Sequence, residues 1–330
     1  MAASTTPKPK QPDPGNPARV ALAGLQLPLP LAVAFSGGAD STVLLLAAAE
    51  RWPGQVRAIH VHHGLQDAAD DFEIHCRGVC AAIKVPLDVR RVAARNAAGE
   101  SPEDAARNAR YQALARAARD GGNQAVLLGQ HADDQVETLL LALSRGAGLP
   151  GLAAMAPVFQ RDGVLFVRPL LALSAQAIRA WLAAQGVPVV EDPTNTDIAF
   201  TRNRIRHLLL PALEEAFPQY RETFARSSRH AAQAQELLET VAVEDLARMG
   251  GVPAITALQQ LPRARQGNVL RHWLKVAHHA GASAAQLDEL LEQVADCRTR
   301  AHQIRIKVGK GFVERQGERL SYAMAPQALS

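Results

Sequence analysis

Residues Leu31–Ser41 read LAVAFSGGADS, and the run TVLLLAAAE follows at once. Five apolar residues therefore lead into Ser36-Gly37-Gly38-Ala39-Asp40-Ser41 and then into a helix-like segment. A strand that stops at two glycines and turns into a helix leaves backbone N–H groups free at the helix N-terminus, which makes an anion site. The glycines allow a tight turn and a close approach to phosphate, with no Cβ in the way. Asp40 is the odd member. A carboxylate among phosphates makes sense if it holds Mg²⁺.

Two phosphate-loop patterns fit badly. No Lys follows these glycines, as GxxxxGK[ST] requires, and GGADS is not GxGxxG. The loop instead resembles the SGGxDS loop of the PP-loop, or N-type, ATP pyrophosphatases. The resemblance implies cleavage of ATP between its α and β phosphates and transfer of AMP to an oxygen of a second substrate. A ligand-free Gly/Ser turn is the bland alternative.

Outward from this loop, residues 20–170 alternate short apolar runs with helical patterns. Strands are expected at Leu31–Phe35, Val56–Val61, Leu87–Val92, Ala125–Gly129 and Val164–Val167, and helices at Thr42–Arg51, Ala69–Ile83, Pro102–Arg119 and Asp133–Ser144. The third helix opens with Ser101 as cap, Pro102 at its first position and Glu103-Asp104 at the positive end of its dipole. The alternation predicts an α/β fold, a doubly wound parallel sheet covered on both faces. Ligands of such sheets lie beyond the carboxyl ends of the strands. The loops Ser36–Ser41, His60–Gln66 and Gly129–Asp134 should then share one rim.

Beyond residue 170 the pattern changes. Ser174–Gln185 reads as a helix capped by Ser174, followed by the loop Val189–Asp197 and the basic run Thr201–His207. From Pro218 to about Ala295 the chain reads as helical, broken at Gly250-Gly251-Val252-Pro253 and at Gly281. His302–Tyr322 alternates apolar and polar residues, as a short β-meander does. Three regions are expected: a disordered, proline-rich tail over 1–18, a catalytic domain over 19–217, and a smaller, mainly helical domain over 218–330 that ends in short strands.

Composition sets the outer bounds. The 330 residues are 48% hydrophobic, enough for a large core. A net charge of +4 permits a nucleic-acid partner without demanding one. Three cysteines, Cys76, Cys80 and Cys297, cannot build a disulfide framework, so a reduced, cytoplasmic setting is expected. No apolar run reaches membrane-spanning length, and the first residues lack the apolar core of a signal peptide.

Further segments match one branch of the PP-loop group. They are His60-Val-His-His-Gly64, Asp104-Ala-Ala-Arg107-Asn-Ala-Arg110-Tyr111, Gly129-Gln-His131-Ala-Asp133-Asp134-Gln-Val-Glu137-Thr138 and Ser144-Arg145-Gly146-Ala-Gly148-Leu-Pro-Gly151-Leu. Arg168-Pro169-Leu170-Leu171, Glu191-Asp192-Pro-Thr-Asn195-Thr-Asp197 and Arg202-Asn203-Arg204-Ile-Arg206-His207 follow. Together they resemble the tRNA(Ile)-lysidine synthetase family over residues 30 to 215. The likeness weakens beyond, although Leu261-Pro262 and Asn268-Val-Leu-Arg271-His-Trp273-Leu are similar to that family's first C-terminal domain. The resemblance implies a ligase. ATP adenylates the carbonyl oxygen at carbon 2 of the wobble cytidine of an isoleucine tRNA with a CAU anticodon. The ε-amine of free lysine then expels AMP.

Site roles follow from that resemblance. Ser36, Gly37, Gly38, Ala39, Asp40 and Ser41 are expected to cradle ATP, with His60 and Arg107 beside it and Asp40 on Mg²⁺. His60-Val-His-His could instead hold a metal, but no matching acid or Cys stands at ligand spacing. Arg107 and Arg110, three apart on one helix face, could meet charge developing on phosphate, or be plain surface arginines. Asp133, Asp134 and Glu137 crowd a helix start. One acid would suffice for capping, so a cation is implied, either Mg²⁺ or the amino groups of lysine. The lysine set is His131, Asp133, Asp134 and Glu137, with His131 a candidate base. Asp40, Arg110, Asp134 and Arg202 form the catalytic set.

Arg145, with the glycines behind it, and Arg204 and Arg206 are expected on tRNA. If the run is helical, Arg202, Arg204 and Arg206 do not share a face; if extended, they do. Arg263, Arg265, Arg271, Lys307, Lys310 and Arg315 are further candidates for backbone contacts, since the C-terminal region has few aromatics for stacking. The chain leaves room for a homodimer. Two rivals stand beside the ligase. A tRNA thiolase needs a nucleophilic Cys or a cluster on paired cysteines, and Cys76 and Cys80 read as core packing. A nucleotide sensor would leave the acids and arginines idle.

Overall fold

The computed structural model describes residues 15–62, 68–92, 102–299 and 301–324. Most of the expected tail, His63-Gly64, the cap Ser101 and the side chains of Glu103 and Asp104 lie outside the described residues. Two compact units divide the chain, residues up to Arg229 and residues from His230. The expected boundary at Phe217-Pro218 stands a few residues before the helix in which the units part.

The first unit opens with α1 (Pro17–Ala23), β1 (Leu31–Ala34), α2 (Ala39–Arg51), β2 (Val56–His62), α3 (Ala68–Ala82) and β3 (Leu87–Arg91). It continues with α4 (Pro102–Asp120), β4 (Ala125–Leu127), α5 (Ala132–Ser144), α6 (Leu149–Leu152), β5 (Val158–Arg161), β6 (Val164–Val167) and α7 (Ala175–Gln185). It closes with a 3₁₀ turn over Pro193–Thr196, α8 (Thr201–Arg204), a π-turn over Ile205–Leu209, α9 (Leu210–Ala216) and the start of α10 (Tyr220–Arg248). The expected tail overlaps α1 by two residues. The buried Asn16 side chain accepts from Ala18 N at 2.9 Å and donates to Val43 O at 2.9 Å, tying this start to α2.

The sheet order is β3-β2-β1-β4-β6-β5. All neighbours run parallel except β5, which returns antiparallel on β6. Central strands β1 and β4 are apolar throughout, because layers cover both their faces. On one face lie α1, α2, α3 and α7, with Val43, Leu44, Cys76, Cys80, Ile178 and Leu182 in the core. On the other, Tyr111 and Leu114 of α4 pack on Ile59, Val126 and Phe166.

The antiparallel edge strand β5 is an addition to the expected parallel sheet. Asp162 and Gly163, at φ 50° and 73°, make the two-residue turn that a tight hairpin needs. β5 forms the sheet's edge with a half-exposed strand, too polar to read as a buried one.

The chain leaves β1 towards β2 and β3, then returns to place β4 on β1's other side. The β1–β4 gap is therefore the point where strand order reverses, and the loops leaving these strands frame a crevice there.

The second unit holds the rest of α10, α11 (Ile255–Gln259), α12 (Arg263–His278), α13 (Ala284–Asp296) and the antiparallel meander β7 (Arg305–Val308), β8 (Gly311–Gln316) and β9 (Arg319–Met324). Leu270, Trp273, Leu290, Val294, Val308 and Val313 build its own core. No helix among the described residues is long and apolar enough to cross a membrane.

Candidate active site

Gly37 and Gly38 do different work at the end of β1. Gly37 sits at φ +84°, where a Cβ would stand 2.9 Å from Val190 Cγ2, 3.0 Å from His75 Cδ2 and 3.1 Å from Cys76 Sγ. Gly38 is the N-cap of α2 and has no side chain to satisfy the first-turn N–H groups. Those groups and the helix dipole are left to an anion. The two serines of the loop brace it from within. Ser36 N donates to Ser41 Oγ at 3.2 Å, and Ser41 Oγ donates to Gly38 O at 3.0 Å. Gly129, leaving β4, presses on the same turn; a Cβ there would lie 3.1 Å from Asp40 C and from Ser41 N. At this point the two loops touch through backbone.

The second loop turns into α5 by a capping box. His131 Nδ1 accepts from Asp134 N at 3.4 Å, and Asp134 Oδ2 accepts from His131 N at 3.1 Å. With Nδ1 an acceptor, the ring proton sits on Nε2, which faces Asp134 Oδ2 at 3.5 Å and Asp40 Oδ2 at 3.7 Å. The buried imidazole gathers two carboxylates over the start of α2. Burial raises the Asp40 carboxyl above its ordinary range; Asp134 adds to this, and His131 opposes it.

Asp133, 3.7 Å from His131 Nδ1 through Oδ2, is tied mainly to other elements. It accepts from Ala175 N at 2.8 Å, Arg221 Nε at 2.7 Å and Tyr220 Oη at 3.3 Å, so it joins α5 to α7 and α10. Glu137 has no exposed surface. Arg206 donates to it through Nε at 2.7 Å and Nη2 at 3.1 Å, and Arg202 Nε lies 3.2 Å from Oε2, the oxygen that Arg206 Nη2 also meets. Burial still pushes its carboxyl up, since these arginines offset the desolvation only in part.

Thr201–Leu209 is helical, and here a sequence expectation needs correction. Arg202 and Arg206 do share a face, because residues four apart in a helix are neighbours. Both meet Glu137, and Arg206 also donates to Asp134 at 3.3 Å. Arg204 faces away and donates to Ile198 O, Ala199 O and Thr201 Oγ1. Arg145 is the exposed C-cap of α5, at the end away from this cluster.

A cavity of about 1690 Å³ opens between these elements. Ser36, Gly38 to Ser41, His60, Arg107, Arg110, His131, Asp133, Asp134, Arg202 and Arg206 border it; Gly37, Glu137, Arg145 and Arg204 do not. His60 is buried and donates from Nδ1 to Phe35 O at 2.9 Å, and burial lowers its pKa, so it is neutral beside the loop. Arg107 and Arg110 rest against the ring of Tyr111, each 5.9 Å from its centroid.

Sequence reasoning missed Arg179 of α7 and Arg221 of α10, which also border the cavity. Nor does the segment Arg168-Pro169-Leu170-Leu171 by itself give Arg168 a role. That buried guanidinium donates to Gln130 Oε1 at 3.1 Å and Tyr111 Oη at 3.0 Å, fixing the His131 loop against β6. Cys76 and Cys80 are core residues. Burial pushes their thiols up to about 12 and about 11, so neither is a thiolate near neutrality.

A profile of the PP-loop domain matches residues 27–213, and one of the TilS substrate binding domain matches residues 254–321. Fold and loop together define a PP-loop protein. A solved U34-tRNA thiolase from Methanococcus maripaludis shares the fold, with a TM-score of 0.56 at 15% identity over 64% of this chain and 76% of that one.

A tRNA(Ile)-lysidine synthase of Polaromonas naphthalenivorans is 63% identical over 90% of both chains. Those of Bordetella pertussis and Burkholderia pseudomallei are 43% and 42% identical; they cover 83% and 87% of this chain, and 89% and 60% of their own lengths are matched. The chain belongs to the tRNA(Ile)-lysidine synthase family.

Proposed function

We propose that this chain is the ligase that converts the wobble cytidine of a CAU-bearing isoleucine tRNA to lysidine in the cytoplasm, using ATP and free lysine. The observation that carries the reading is the uncapped start of α2 in the strand-reversal crevice, faced by Asp40 and Asp134, in a chain 63% identical to a named synthase. The cavity exceeds the roughly 300–1,000 Å³ of ordinary ligand pockets. It has room for a nucleotide, an extruded base and an amino acid together.

In this reading the first-turn N–H groups and Ser36–Ser41 take the phosphates of ATP, with His60 and Arg107 at its flanks. The cytidine O2 attacks the α-phosphorus and pyrophosphate leaves. Arg110 meets the charge on the transferring phosphoryl group. Asp40 and Asp134 fit Mg²⁺, an ion commonly held by one or two carboxylates plus substrate phosphates. Both stand within 3.7 Å of one imidazole nitrogen, and their mutual repulsion is what a divalent cation relieves. The chemistry that ion supplies when bound is neutralisation of the departing pyrophosphate.

Lysine's ε-amine then attacks carbon 2, expels AMP and loses a proton. Asp134 borders the cavity and offers a lysine ammonium the oxygen now paired with Arg206, while Glu137 receives it only by exchange with Arg202 or Arg206. His131, held as a donor, keeps the acids in place. Asp133 acts by anchoring the loop. Arg145, Arg204 and the second unit are left for tRNA. With Cys76 and Cys80 protonated in the core, neither offers the thiolate a thiolase would draw on.

The test is incubation with Mg·ATP, labelled lysine and a CAU isoleucine tRNA transcript, with a CAU methionine tRNA beside it. Label in the first tRNA alone, with AMP and pyrophosphate released, is expected. ATP bound without incorporation would move the reading to a different acceptor or to a nucleotide sensor.

A further inference from the structure

Six arginines border the cavity, and they differ in what already neutralises them. Arg221 is committed to Asp133 and Glu214, and Arg202 and Arg206 to Glu137. Arg107 and Arg110 lie on α4, against Tyr111 and the opposite face of the sheet from α2. That leaves Arg179. It is exposed and makes no hydrogen bond or ion pair among the described residues.

Its setting is specific. Gln176, Arg179, Ala180 and Ala183 border the cavity at the spacing of one helix face. Next to that face, Ile178 and Leu182 are buried in the core that also holds Val43 and Leu44 of α2, with Leu182 at the cavity's border. So α7 packs beside the phosphate-binding helix and presents one cation flanked by small residues. That combination leaves space for a ligand above the alanines.

We propose that Arg179 is the binding residue for the pyrophosphate end of ATP, holding the β and γ phosphates against the start of α2 while Arg110 serves the transferred α phosphate from across the sheet. A guanidinium suits phosphate oxygens through paired N–H donors. The assignment rests on the reading that ATP occupies this loop.

Direct binding tests it without any tRNA chemistry. Titrate the full chain, Arg179→Ala and Arg179→Lys with Mg·pyrophosphate and, separately, with AMP, and compare their melting temperatures. The expected result is at least a tenfold loss of pyrophosphate affinity in Arg179→Ala, a partial recovery in Arg179→Lys and less than a twofold change for AMP, at unaltered melting temperature. Pyrophosphate affinity unchanged in Arg179→Ala, or pyrophosphate and AMP lost together, would overturn the assignment. If the unsubstituted chain binds ATP but makes no lysidine, the ligase reading fails while this one stands. If it binds neither pyrophosphate nor ATP, both fail.

Discussion

Gly37 and Gly38 are adjacent, yet a methyl group on each meets a different cost. At Gly37, φ is +84° and a Cβ runs into Val190, His75 and Cys76. A non-glycine residue held in such a region costs about 1–3 kcal/mol, and the three close approaches add to it. Gly37→Ala should lower unfolding stability by at least that amount and raise the KM for ATP, since the loop must shift. At Gly38, φ is −74° and a Cβ finds only an ordinary contact, 3.5 Å from Ser36 Oγ. Gly38→Ala should therefore unfold at the same denaturant midpoint as the parent. Denaturant titration of the pair decides the matter: equal losses would mean that steric closure around Gly37 is not what shapes the turn. His131 is a second case of geometry narrowing chemistry. Its Nδ1 accepts from the Asp134 backbone N–H and its Nε2 faces Asp40 and Asp134, so the capping box sets which acids the ring meets.

Asp133 shows what ties elements together. Burial alone would raise its carboxyl, but hydrogen bonds from Ala175 N and Arg221 outweigh that and hold it below its ordinary value of 3.8. A depressed folded pKa gives stability that is complete above the unfolded pKa and is lost as pH falls through the folded one. Asp133→Asn should therefore cost about 3 kcal/mol at pH 7, the low end for breaking a buried pair, because Arg221 keeps Glu214. The gap to the parent should hold steady down to about pH 4 and narrow only below it. Urea unfolding across that range measures it, and a gap already closing at pH 6 would assign the linkage to another group. The same region marks where sequence reading succeeds and stops. β1, α2, β4, α5 and the Ser174 cap of α7 were legible, because apolar runs, glycines and caps act locally. β5 was not, since half its residues face solvent; its signal was the Asp162-Gly163 turn. Acid-rich spacing marked Asp133, Asp134 and Glu137 as one cluster, but only packing reveals that Asp133 turns to α10 and that Glu137 is already neutralised by Arg202 and Arg206. Arg179 sits in AQAIRAWLAAQ, which reads as a plain amphipathic helix; nothing local distinguishes it.

The charges of the second unit carry the remaining question, how a tRNA is held by a chain of net charge only +4. Its candidate cations divide as those of the cavity do. Arg265 is committed to the buried Asp245, and Arg263 pairs with Asp288. Arg315 donates to Thr299 O, His302 O and Gly317 O, which makes it a strut for the meander. Arg271, Lys307 and Lys310 are exposed and make no ion pair among the described residues. If the second unit holds tRNA through its backbone, these three are the residues that neutralise phosphate. Binding of that kind releases counterions, so affinity falls with salt along a slope set by the number of phosphates neutralised. Replacing all three by Ala should weaken tRNA binding at low salt and flatten the log–log salt slope by roughly 0.7–0.9 for each phosphate no longer neutralised. Lysine incorporation at saturating tRNA should stay at the parent rate, because the cavity is untouched. Arg315→Ala should do the reverse, lowering the melting temperature while leaving the slope alone. A triple variant with the parent's salt slope would locate the tRNA backbone elsewhere, on the first unit's exposed Arg145 and its neighbours.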